Sequence, residues 1–462
     1  RRGTRQLRQT PVAERERERG ERERGRARER ERWEGAEGEQ CCLEGESAGE
    51  GARGAHCWSI SGTMGSCPTA FTFFKLFCAT LIAAQRRSPG CGLPPPTRPG
   101  REPLAGHIFV RDQAGLFGVV RRKYDLNLPA VYNETNPASL VLVFHGFFDT
   151  DTGELNEDLL PAYINFERRN VVTLYPRGSG DEWSGDSYGW NVDGNGLNRN
   201  LGPLGRTCRI PREDWLEQYA CFDSCIRTMR GCDYVMGCNF ASCMDDRAFI
   251  RALLARTLRS LCIDLNRIHA TGISAGGMMT YQVALDFGDV VGSVAPIAGS
   301  RIYGFNKLPR VPISLLEVHG YDDDTVPANA SNGLGGGPPG SSVSNDHFFY
   351  TEVPYILGAF AVAAGCTGPN MPFPTRFDGI RGFQCNMPRG ACGAHSIVQC
   401  TGKWGHTWPL HLTRPFAYAG LVLDFFAAHP LQIPDLDADG IILRLLACPD
   451  CNGTLKNLRT ML

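Results

Sequence analysis

The chain has 462 residues, 42% hydrophobic and 10% aromatic, with 48 Lys and Arg against 49 Asp and Glu. That leaves room for one large domain with additional segments, or for two or three ordinary ones. The net charge of −1 carries no message about partners, and apart from the first residues nothing resembles the basic footprint of a nucleic-acid binder. The 19 cysteines point to an oxidising compartment, since the cytosol keeps thiols reduced.

Residues 1–63 differ from the rest. Between positions 14 and 32, Glu and Arg alternate with little to bury, so this segment is expected outside any core. It reads either as a charged interaction arm or, in preference, as sequence that is not natural protein, because the first methionine is Met64. From Met64 an apolar run at 71–84 carries Lys75 as its one charge and ends on Ala83 and Ala84. It is too short to cross a bilayer and has the length of a signal-peptide core, so 64–84 is assigned as a signal peptide and the mature chain as secreted, with no membrane span after cleavage. A Pro-, Gly- and Arg-rich stretch, 85–104, reads as a linker.

Apolar strand-like runs then alternate with helix-like ones over 105–430. Strands are expected at 139–144, 171–175, 267–271, 293–297, 312–318 and 396–400, and helices at 244–259, 275–287 and 416–428. That alternation implies an α/β fold with a mostly parallel central sheet and helices on both faces. It is suspended over 177–243, where Cys208, Cys221, Cys225, Cys232, Cys238 and Cys243 suggest a disulfide-stapled insertion. Asn133, Asn329 and Asn452 open glycosylation sequons if the chain enters the secretory route. The extension 431–462 has a helical run at 441–446 but no evident place in the core.

Chemistry concentrates in four motifs. Gly272-Ile273-Ser274-Ala275-Gly276, between an apolar run and a helix-like run, has the form of a nucleophile elbow, a bend that lifts the serine hydroxyl off the sheet. Ser274 is the candidate nucleophile, and it needs a base and a group to orient that base. His406, in Gly405-His406-Thr407-Trp408-Pro409, stands downstream of the serine and an acid, which is the chain order of the α/β-hydrolase triad. Asp322, Asp323 and Asp324 follow the strand ending at His319-Gly320, and spacing alone does not choose among them. Backbone amides of Ala275 and Phe147, the latter in the loop after LVFHG at 142–146, are the expected oxyanion donors. His145, Trp190 and Trp408 are candidates for the substrate pocket, although packing alone is the simpler reading for the His145 ring and for Trp408.

These motifs together resemble the secreted feruloyl esterases and polyhydroxybutyrate-depolymerase-like α/β-hydrolases, over roughly 105–430. The resemblance also rests on Tyr175-Pro176, Trp190-Asn191, Asp245-Asp246, GISAGGMM at 272–279 and His319-Gly320 with Val326-Pro327. It implies Asp323 as the acid, a carboxylic-ester substrate on a cell-wall polysaccharide or a polyester, and no metal or other cofactor. Three departures lie near the substrate entrance: Lys403 and Trp404 where glycines are usual, the long 177–243 insertion, and a Gly/Pro/Ser-rich insertion at 332–345. The competing readings are a silent carbohydrate-binding or cell-surface protein on the same fold, and a peptidase or acyltransferase. A further reading gives the cysteine-rich segment a binding role of its own.

Overall fold

Runs such as 139–144 and 293–297 lack polar alternation, so they are stable only as strands covered on both faces. The computed structural model describes residues 86–111, 119–147, 149–181, 187–192, 201–202, 205–206, 244–303, 308–337, 339–345, 349–409, 417–432, 440–441 and 445. The Arg/Glu run, the 64–84 segment, the six cysteines of the insertion and Asn452 lie outside them.

The central ten-stranded sheet consists of β1 (Leu104–Arg111), β2 (Val119–Asn127), β3 (Ala138–Phe144), β4 (Val171–Pro176), β5 (Ile263–Ile273), β6 (Ser293–Ile297), β7 (Ser314–Gly320), β8 (Met371–Pro372), β9 (Gln384–Met387) and β10 (Ile397–Gly402). Their spatial order is β1-β2-β4-β3-β5-β6-β7-β10-β9-β8. The strands from β4 to β10 pair in parallel, and antiparallel strands extend both edges. The parallel strands coincide with the expected ones. The outer antiparallel strands escaped sequence reading; in β2, which pairs with β1 on one side and β4 on the other, the exposed charges Arg121 and Lys123 break up the apolar signal.

Helices cover both faces. They are α1 (Asp151–Glu157), α2 (Leu160–Phe166), α3 (Asp246–Ser260), α4 (Ala275–Phe287), α5 (Val353–Ala363) and α6 (Ala417–Ala428). Successive strand residues feed opposite layers. Leu140, Leu142 and Phe144 of β3 join Phe249, Met278 and Phe360 of α3, α4 and α5 in one core. Val141 and Val143 join Tyr163 of α2 and Val422 and Phe426 of α6 in the other.

Two ends differ from expectation. Residues 86–92, read as part of a linker, are fastened to β5: Ser88 Oγ donates to Leu261 O at 2.6 Å, and Cys91 is bonded to Cys262. In the C-terminal extension, Ile441 and Leu445 are fully buried in the core. The Cys91–Cys262 bond joins residues 171 apart. Replacing both cysteines with alanine is expected to lower stability by about 2–4 kcal/mol, read from the denaturant midpoint; an unchanged midpoint would contradict this.

The α1–α2 corner holds a buried acid. Asp158 accepts from Tyr175 Oη (2.8 Å) and from Leu160 N–H (2.9 Å). Burial pushes its carboxyl up to about 8. The folded state therefore keeps a proton that the unfolded chain loses near pH 4. The resulting stability is complete below that pH and is lost as pH rises towards 8. Asp158→Asn cannot ionise, so its melting temperature should gain on that of the parent between pH 4 and pH 9. A difference constant across that range would refute the assignment.

Candidate active site

A strand running directly into a helix must reverse direction within one residue, and Ser274 is that residue. It sits between β5 and α4 at φ 58°, ψ −122°, a conformation costing roughly 1–3 kcal/mol for a residue with a Cβ. Backbone bonds hold it there: its N–H donates to Ile297 O (2.9 Å), and its carbonyl accepts from Met278 N–H (3.0 Å). The bend also needs its glycine. A Cβ on Gly276 would lie 2.0 Å from Phe144 O. Ser274 itself is half-buried, at the end of the parallel strands where such sheets place their sites.

The loop after β3 borders the serine, since a Cβ on Gly146 would stand 3.5 Å from Ser274 Cβ. His145 supports this loop from below. Its Nε2 accepts from Gly178 N–H (2.9 Å), which leaves Nδ1 to donate to Gly146 O (2.7 Å). Burial lowers the imidazole pKa to about 4, so the ring is neutral, as this pair of bonds requires. Trp190 Nε1 donates to His145 O (2.9 Å), and its ring lies 4.8 Å from the imidazole. Asn191 N–H donates to Asp246 Oδ2 (2.6 Å), and Asp246 is paired with Arg122 at 2.6 Å. The Trp-Asn and Asp-Asp motifs thus brace one loop, a role that sequence reading did not assign to them.

His145 and Trp190 are both fully buried, beneath the site rather than on its surface. Trp408 is also buried and packs against Tyr418 with ring centroids 4.6 Å apart. Ala275 is the first residue of α4, whose N-terminus has no side-chain cap. Its first-turn N–H groups therefore lack intrahelical acceptors, and the helix dipole favours negative charge there. Phe147 is half-buried in the bordering loop, and Phe148 lies outside the described residues.

The acid and histidine come from two adjacent strand ends. Tyr321 N–H donates to Gly402 O (2.8 Å) and Asp322 N–H to Trp404 O (3.0 Å), which ties the loop after β7 to that after β10. Trp404, which replaces an expected glycine, stacks on Phe383 at 6.1 Å and anchors this junction. Of the three aspartates, Asp322 and Asp324 are exposed and Asp323 is fully buried. Asp323 Oδ2 lies 2.8 Å from His406 Nδ1, while Oδ1 accepts from Val326 N–H (2.8 Å) and Thr325 N–H (3.1 Å). Burial alone would raise this carboxyl, but the bonds from His319 and His406 outweigh it and hold the group well below the usual range. The insertion at 332–345 packs beside this loop: Asn332 Nδ2 donates to Tyr321 O (2.7 Å), and Asn345 N–H to Asp324 O (2.8 Å).

Behind the acid stand two groups that sequence reading gave no role. His319 Nδ1 lies 2.7 Å from Glu317 Oε1, and Nε2 lies 2.7 Å from Val326 O and 3.2 Å from Asp323 Oδ2. The available signal was a Glu and a His at alternate positions of an otherwise apolar strand, SLLEVHG. Among the described residues no group of three or more His, Cys, Asp and Glu could hold a metal ion, and no helix is long and apolar enough to cross a membrane.

No protein-family model matches the chain. Among curated proteins, "Probable feruloyl esterase C" of Aspergillus clavatus is 34% identical over 90 residues, covering 20% of this chain and 33% of that protein. "Probable feruloyl esterase C" of Aspergillus niger is 22% identical over 263 residues, covering 55% of this chain and 71% of that protein. Over these stretches the chain is similar to feruloyl esterases. It spans about a third of the length of the first of these relatives. Among solved structures, an acetyl xylan esterase from Aspergillus awamori aligns with this chain at a TM-score of 0.42 and 12% identity, over 70% of this chain and 99% of that one.

Proposed function

We propose that this protein is a secreted serine carboxylic-ester hydrolase, with a feruloyl ester of a cell-wall polysaccharide as its first candidate substrate. The observation that carries the reading is the buried Asp323 held 2.8 Å from His406 Nδ1, at the same sheet end as a serine on a positive-φ elbow. With Nδ1 engaged, Nε2 is the nitrogen of His406 left to take a proton from Ser274. The serine oxygen attacks the ester carbonyl, His406 accepts the hydroxyl proton, and the Phe147 and Ala275 amides face the carbonyl oxygen as it gains charge. Collapse breaks the ester C–O bond, and the leaving alcohol takes the proton from His406. Water then attacks the acyl-serine, with His406 removing its proton, and the acid is released.

Secretion is supported by three disulfides among the described residues, Cys91–Cys262, Cys366–Cys392 and Cys385–Cys400. The test uses chain from about residue 85 onward, folded under oxidising conditions, and offers it methyl ferulate, p-nitrophenyl acetate and a hydroxybutyrate oligomer. A fluorophosphonate should block turnover while adding one phosphonyl group to Ser274, located by peptide mass spectrometry. The preferred ester identifies the acyl class. Folded protein that turns over none of the esters and leaves Ser274 unlabelled would overturn the reading in favour of a binding role.

A further inference from the structure

The strand β7 carries an expense that the fold alone does not require. Leu315 faces the α3–α4–α5 core, and alternation places Glu317 and His319 on the same side, both fully buried. Unpaired ionisable groups there would be strongly destabilising. They are instead linked in a line: Glu317 Oε1 to His319 Nδ1 at 2.7 Å, His319 Nε2 to Asp323 Oδ2 at 3.2 Å, and Asp323 Oδ2 to His406 Nδ1 at 2.8 Å.

With Glu317 ionised, the donor inventory determines the charge on His319. Val326 O, 2.7 Å from Nε2, can only accept, so Nε2 carries a proton. An ionised Glu317 can also only accept, so Nδ1 carries one too. The ring is then an imidazolium between two carboxylates, and charges alternate from Glu317 through His319 and Asp323. We propose that Glu317 and His319 are positioning residues, a buried cation and its counter-ion that keep Asp323 ionised and aim its Oδ2 at His406. Burial on its own would lower the His319 pKa, but its bonds to Asp323 and Glu317 raise it to about 10. The titratable and charged groups around His319 are Glu317 on its own strand, Asp323 and His406 on the adjoining loops, and Tyr281 of α4 with Arg301 beyond Glu317. Burial first, and then Glu317, keep the Tyr281 hydroxyl protonated, so it adds no charge near neutral pH.

The proposal rests on the serine-hydrolase reading for its catalytic consequence, while the charge state of His319 can be measured without it. In His319→Gln the cation that opposes protonation of His406 is gone. The acid limb of the kcat/KM profile should therefore move up by roughly one pH unit, and kcat should fall about tenfold or more with KM unchanged. In Glu317→Gln, which keeps an acceptor for Nδ1, the limb should move the other way, because a negative charge has been removed. A residue that merely filled space would change the melting temperature and leave both limbs in place, and that result would overturn the proposal. If His319→Gln does not fold, the direction of shift in Glu317→Gln decides.

Nitrogen-15 NMR of the intact protein should show both His319 ring nitrogens protonated from pH 6 to 8. A neutral ring at pH 7 would sink the proposal irrespective of activity. Absence of ester turnover together with a persistent imidazolium would instead count against the proposed reaction and leave the charge assignment standing.

Discussion

Ser274→Ala is expected to lower kcat on the preferred ester by about 10⁵–10⁶-fold, leaving only what oriented binding and oxyanion contacts supply. The fold should survive. Alanine keeps the Cβ that already occupies φ 58°, the bonds that hold the elbow run through the backbone, and the side chain does not cap α4. The variant should therefore melt within about 1 kcal/mol of the parent and lose its fluorophosphonate label. Steady-state rates of both proteins, with melting curves as the control, provide the measurement. A folded variant retaining a tenth or more of the parent rate would remove Ser274 from the mechanism.

The second large effect is Asp323→Asn, for which a kcat loss of about 10⁴-fold is expected, the scale seen when a triad acid is made an amide. The geometry explains why so small a change is costly. Asp323 Oδ2 faces nitrogen atoms of both His319 and His406, and Oδ1 takes two backbone N–H groups. An amide must turn its NH₂ towards one of these donor sets, which leaves His319 without its neighbouring anion. Stability should fall as well, by about 3–5 kcal/mol at pH 7 for a broken buried pair. The sign of the pH dependence follows from a carboxyl held below its usual range: its contribution is present above about pH 4 and is lost as pH falls further. The melting gap between parent and variant should therefore narrow on acidification below pH 4. A variant as active as the parent, or a gap that widens with acid, would refute this account.

The bracing of the loop after β3 has a bearing on both predictions. His145 is neutral and bound at both nitrogens, Trp190 holds its carbonyl, and Asn191 ties this corner to Asp246 at the start of α3. A loop fixed at three points presents its amides without rearrangement, which is the condition under which oxyanion donors contribute most. This corner pairs residues 33 to 55 positions apart. No local pattern could have shown that Trp190 contacts the loop from beneath.

Linear order and short-range pattern were enough to determine the alternation of parallel strands and helices, the elbow at Ser274 and the downstream placement of His406. Each depends on neighbours in sequence: an apolar run too continuous for an exposed strand, a pair of glycines flanking a serine, a histidine between the last strand and the last helix. Spacing alone left Asp322, Asp323 and Asp324 open, and it was the resemblance that implied Asp323. All three share one turn and one chemistry, and the tertiary structure distinguishes them by burying Asp323 against His406 while Asp322 and Asp324 stay exposed. Tertiary structure likewise decided that residues 86–92 are stapled to β5 and that Ile441 and Leu445 complete a core. It also placed Glu317 and His319 in line with the acid, because burial and charge pairing are properties of what the rest of the chain brings alongside a residue.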